Sequence, residues 1–267
     1  MFPFKVSKAI HREPSLAKTR LNARAVGGSA EDRFFVGMSL FLLATVLVGF
    51  AKSYFLAGMM KAPLPNKLIH FHAALFSCWI LLLVAQASLI SAHRFDLHRK
   101  FGLFGFGLAC GMIVAGVMAA TDSMTRIKMV GPFDMRTFYA VPMFDIIVFA
   151  VLIFFAYRWR YDPATHKRLI LIASITIVDA ATGRDPLTKI TQLPYLNNVF
   201  TQFYTVLLAG FDLWYLKRIH RATLIAGLFS IVMLLVAIPV GSTAPWMAFA
   251  NWMLRMARAI KGQGGGQ

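Results

Sequence analysis

The chain has 267 residues, of which 58% are hydrophobic and 15% charged. An ordinary soluble domain is about 45–50% apolar and about 25% charged, so this excess has no single aqueous core to hide in and calls for lipid as solvent. The formal net charge of +17 does not indicate a nucleic-acid binder, because the bases gather at the ends of apolar runs rather than on one face.

Residues 1–33 form a basic tail carrying Lys5, Lys8, Arg12, Lys18, Arg20, Arg24 and Arg33. They read as a cytoplasmic arm against anionic lipid, with an organelle targeting segment as the alternative. Seven stretches then reach the roughly 20 apolar residues a spanning helix needs: 34–58, 69–92, 99–121, 138–157, 164–183, 199–217 and 222–240. The fold class expected over 34–240 is therefore an all-α, polytopic transmembrane bundle of seven helices.

The third stretch is glycine-rich, and Gly107-xxx-Gly111 predicts a small-residue groove that would make this helix the centre of the bundle. The fifth is the least apolar. It opens on Asp162-Pro163, a cap followed by proline at the first helical position, and ends at Gly183 before Pro186. After Pro239, residues 241–261 place Trp246, Phe249, Met253, Met256 and Ile260 at helical spacing, which predicts an interfacial amphipathic helix. Residues 262–267 are a glycine-rich flexible tail.

Short segments after the second, fourth and sixth stretches hold Arg94, Arg99, Lys100, Arg158, Arg160, Lys167, Arg168, Lys217, Arg218 and Arg221. The positive-inside rule then puts the amino terminus in the cytoplasm and, with an odd helix count, the carboxyl end outside a bacterial inner membrane. A membrane protein partner or a second copy is compatible with this surface, and nucleic acid is not. Cys78 and Cys110 both lie in apolar runs and read as small packers, not as a disulfide.

Ionisable groups at mid-membrane cost about 2.5–3.5 kcal/mol each on insertion scales, so the few present carry information. With a rise of about 1.5 Å per residue, Asp145 falls roughly 10 Å, Asp179 roughly 6 Å and His72 roughly 5 Å inside the outer ends of their helices. Arg184 crowns the fifth helix on the same side. A polar pocket of His72, Asp145, Asp179 and Arg184 is the expected site: histidine as proton donor or ligand, the acids as its charge partners, arginine as an anion clamp. Such a site suits proton-coupled handling of a small molecule, or binding of a metal or quinone headgroup. Asp212, near the opposite face, is expected to pair with bases close to it.

The other histidines recur before bases, as His98-Arg99, His166-Lys167 and His220-Arg221. Two of His98, His166 and His220 would serve a haem b electron carrier, the alternative reading, because axial imidazoles must come from different helices at one depth. A non-catalytic accessory subunit is the third. Zinc-hydrolase, nucleophilic-serine and phosphate-loop motifs are absent from the sequence.

Phe71-His72-Ala73, Gln86 and Leu97-His98-Arg99 resemble a widespread family of uncharacterised bacterial multi-pass membrane proteins. So do Pro142 with Asp145, and His166-Lys167-Arg168-Leu169 followed by Asp179-Ala180-Ala181, Arg184 and Pro186. The resemblance spans about residues 65–190 and implies that His72, Asp145, Asp179 and Arg184 belong to one site; it brings no activity with it. A fainter similarity, through histidines at helix ends, is to cytochrome b-type membrane electron carriers.

Overall fold

The computed structural model describes residues 14–59, 66–184 and 196–264. Residues 1–13 of the basic tail, Asp185, Pro186 and the last three residues lie outside them.

The chain is almost wholly helical. Helix α1 (Pro14–Phe50) ends in a π-helical turn, Ala51–Phe55. Helices α2 (Lys67–Ser91) and α3 (Phe95–Arg126) follow. A two-stranded antiparallel ribbon, β1 (Met129–Val130) with β2 (Phe133–Asp134), pairs Met129 with Asp134 and Val130 with Phe133. Then come α4 (Met135–Phe138), α5 (Ala140–Arg158), α6 (Pro163–Thr182), α7 (Leu196–Leu216), α8 (Arg221–Gly241) and α9 (Ala244–Gly264).

Among the described residues five helices are long and apolar enough to cross a bilayer: Ala30–Phe55, Lys67–Ser91, Phe95–Arg126, Met135–Arg158 and Arg221–Gly241. Their outer faces expose Leu103, Ile225 and Leu235 to about 70%. A band of that kind is untenable in water and natural against acyl chains. This is an integral membrane protein. The two ends of the bundle are called here the basic end, with Arg99, Arg158 and Arg221, and the hairpin end, with the ribbon.

Helix α6 is shorter of apolar residues, since Lys167, Arg168 and Asp179 share its 20 positions. It is nevertheless the most enclosed element, packed by α1, α5, α7 and α8 and burying twelve side chains. The physics is consistent: the helix least suited to lipid sits where neighbouring helices satisfy its polar groups. The expectation that α3 is the centre is therefore corrected. Gly107 has nothing within 4 Å of a Cβ built on it, and Gly111 meets only Leu75 at 3.8 Å. The close approaches on α3 are at Gly105, 3.0 Å from Leu82, and at Gly116, 3.0 Å from Ile146. The groove faces α2 and α5 through a different pair of glycines.

Local chemistry sets the ends. Asp162 caps α6, accepting from the Ala164 and Thr165 amides at 3.2 and 3.5 Å and from the Thr165 hydroxyl at 2.6 Å. The Thr165 hydroxyl above all holds this carboxyl below the usual carboxylate range. Asn66 caps α2 and also donates to the buried Asp122 of α3 at 3.0 Å, pinning two helix ends together. Helix α9 folds back over the hairpin end. Its Trp246 indole donates to the Arg136 carbonyl at 3.0 Å, and Ala250, Met253 and Leu254 pack on Met135 and Tyr139.

Candidate functional site

Helix α6 carries two charged side chains on one face, Arg168 and Asp179, three turns apart, with Ile172 and Ile175 between them. Helix α7 answers with Thr201, Thr205, Leu208 and Asp212 at the same spacing, all buried. Because α7 runs antiparallel to α6, Thr201 meets Asp179 near the hairpin end and Asp212 meets Arg168 near the basic end. Ile172, Ile175 and Leu208 fill the space between these two polar layers.

In the first layer the Thr201 hydroxyl donates to Asp179 Oδ1 at 2.7 Å, and Thr182 stands 2.9 Å from Thr201. Asp145, on the facing wall of α5, lies within electrostatic reach of Asp179. Among the described residues neither acid has a basic group within salt-bridge distance. Arg184 instead donates to the Ala180 carbonyl and lies over the Phe50 ring, 4.7 Å from its centroid. His72 is half-buried one helix away. Its ring packs on Phe76 with 4.1 Å between centroids, lies beside the Ala115 carbonyl and feels the Arg184 charge. Its Nδ1 is buried without a partner. His70, by contrast, turns away to the Tyr54 hydroxyl, 3.0 Å from its Nδ1.

All four expected residues stand toward the hairpin end, where Asp145 lies within electrostatic reach of Asp179 and His72 within that of Arg184, but among the described residues no hydrogen bond or ion pair joins either pair. What does not form is the expected charge pairing, since neither His72 nor Arg184 neutralises the acids. Thr182 and Thr201 are polar members that the sequence pattern did not single out. The signal for Thr201 was its spacing with Thr205 and Asp212 on one face of a helix.

The second layer is a closed ionic knot. Arg168 and Asp212 are both fully buried. Arg168 Nη2 and Nε approach Asp212 Oδ1 at 2.5 and 3.0 Å, and Asp212 Oδ2 accepts from the Thr223 hydroxyl at 2.6 Å and from the His220 amide at 3.1 Å. Glu31 of α1 joins through Lys167 at 2.7 Å and Arg168 at 3.4 Å. Asp212 does find a base, from α6 rather than from the neighbouring loop. Arg168 belongs to the interior, not to the basic loop in which its sequence neighbours stand.

The three histidines proposed for haem separate into two groups. His220 caps α8, accepting from the Ala222 amide at 3.2 Å, and its imidazole is held below its usual range by burial and then by the Arg168 charge. His98 on α3 and His166 on α6 lie within electrostatic reach of one another. His166 Nδ1 is 2.8 Å from the Ala156 carbonyl. No group of three His, Cys, Asp or Glu among the described residues is arranged to hold a metal ion. No known family model, curated protein or solved structure matches this chain.

Proposed function

We propose that this chain is a seven-span bacterial inner-membrane protein that couples a proton to the handling of a small organic anion at the Asp145–Asp179 layer. In this reading the amino terminus is cytoplasmic, and the hairpin end, with α9 lying in the interface, faces outward. Helices α6 and α7 complete the seven spans. Their 20 and 21 residues match the roughly 30 Å of a hydrocarbon core.

The observation that carries the proposal is a pair of acids within one another's electrostatic reach inside the bundle, with no basic partner among the described residues. Two carboxylates that feel one another's charge in a low-dielectric bundle resist ionising together; in this reading the pair keeps one proton between them. An incoming anion displaces that balance. Arg184, at the rim and without an ion pair to any described residue, supplies the charge and fork geometry that receive a carboxylate. His72, with its free Nδ1, stands beside it as the group able to pass a proton.

The test uses chain reconstituted into liposomes loaded with a pH-sensitive dye. An inward gradient of succinate, too polar to cross lipid unaided, should acidify the lumen. Asp145→Asn should lower that rate at least tenfold, and Arg184→Gln should raise the concentration giving half the maximal rate. Acidification at the native rate in Asp145→Asn, or no response of the native chain across a panel of small carboxylates, would contradict the reading.

A further inference from the structure

The crossing of α2 and α3 near the basic end holds polar atoms that neither layer uses. Gln86 Oε1, Gln86 Nε2 and His98 Nδ1 are all buried and lack a hydrogen-bond partner. They stand together. The His98 ring lies beside the Gln86 main-chain carbonyl and near His166, while a Cβ on Gly102, one turn beyond His98, would sit 3.7 Å from Gln86 Nε2. His166 completes the group. If its Nδ1 donates to the Ala156 carbonyl, 2.8 Å away, its Nε2 lone pair is left open. Buried polar groups without partners are costly to leave unsatisfied, so three in one place ask for an occupant.

The neighbouring surface points to its chemistry. Ala85, which precedes Gln86, Leu89, one turn beyond it, and Phe101, which precedes Gly102, line a mainly apolar groove of about 430 Å³ together with Leu82, Ser88 and Ala92. It opens between α2 and α3 on the face these helices turn to lipid. The three side chains both donate and accept, and no carboxylate belongs to the group, so a cation has no counter-charge there.

We propose that Gln86, His98 and His166 form a headgroup site for a lipid-soluble quinone whose tail occupies the groove between α2 and α3. A quinone carbonyl accepts from the amide N–H or an imidazole N–H. A quinol hydroxyl donates to Gln86 Oε1 or to an open imidazole nitrogen. The same three side chains therefore satisfy both forms, and a ligand that diffuses in the bilayer reaches them without crossing water. This site is independent of the acid layer, so either can fail alone.

The probe is decyl-ubiquinone, titrated into purified full-length chain in lipid nanodiscs and followed by quenching of tryptophan fluorescence; Trp79 lies two turns from Gln86 on α2. Quenching should saturate. Gln86→Leu should weaken binding about tenfold, the loss of roughly one good hydrogen bond. The Tm of that variant without probe should hold or rise, because it removes two unpartnered polar atoms. Gly102→Val, which fills the space beside the amide, should weaken binding as well. Non-saturating quenching of equal strength in native chain and both variants would overturn the proposal, leaving membrane partition only. So would a Soret band from the purified chain, which would place haem b between His98 and His166.

Discussion

Replacing Arg168 with alanine should unfold more of this protein than any other single truncation of a polar side chain. Arg168 and Asp212 are completely buried and hold each other through paired hydrogen bonds, with the Thr223 hydroxyl and His220 amide completing the carboxylate's shell. Removing one partner of such a pair leaves a charge in low dielectric with no compensation, a loss of about 3–5 kcal/mol. Asp212→Ala should cost a similar amount for the same reason. The double variant Arg168→Met/Asp212→Leu removes both charges and refills the space, so it should recover most of the loss. Unfolding in mild detergent, followed by Tm or by denaturant midpoint, checks all three. If the double variant falls as far as the single variants, refilling the space does not substitute for the pair, and an uncompensated buried charge is not what destabilises the single variants. The knot ties α1, α6, α7 and α8 at the basic end, and the acid layer at the other end of the same α6–α7 contact has no such tie.

The second large effect is expected at Gly49, where α1 crosses α6. A Cβ there would fall on the carbonyl oxygen of Ala181, and the carbonyl carbon would be 2.8 Å away. Both obstacles are main chain, so no rotamer change relieves them. Gly49→Val should force α1 away from α6 and cost about 1–3 kcal/mol or more, as overpacking of a dense interior does. It should also reach the acid layer, because Ala181 is two residues from Asp179 and Phe50 carries the Arg184 guanidinium. Lowered Tm together with impaired succinate-driven acidification is the expected pair of results. Native behaviour in Gly49→Val would mean that α1 does not pack here.

Which parts of this architecture are visible in the sequence follows from what lipid does to pattern. Apolar length marks where the helices lie, and the Asp162-Pro163 cap and the Gly183 stop mark the ends of α6 in the expected places. Orientation within the bundle is far less legible. A leucine facing acyl chains and one facing a neighbouring helix are equally comfortable, so α5 and α8 show no face. That is why the glycines of α3 misled: Gly107-xxx-Gly111 matches the spacing of a packing groove, yet Gly105 and Gly116 are the ones that touch. Polar residues do betray a face, since lipid refuses them. Asp179 and Asp212 are both buried, and reading Arg168 with Asp179 at three turns would have revealed the central helix. Arg168 was obscured by its neighbours, because a base beside His166 and Lys167 has the look of a loop residue. The absence of counter-charges at the acid pair among the described residues was not legible at all. It depends on where Arg184 turns after α6 ends, which spacing alone does not determine.

A proton held between Asp145 and Asp179 can be sought directly by infrared spectroscopy of the chain in lipid at neutral pH, through the carbonyl stretch that a protonated carboxyl has and a carboxylate lacks. The native chain should show that band, shifted in deuterated water and removed or displaced in both Asp145→Asn and Asp179→Asn. A native spectrum without it, or a band that both substitutions leave untouched, would mean the two acids are ionised or apart, and no proton would be there to couple.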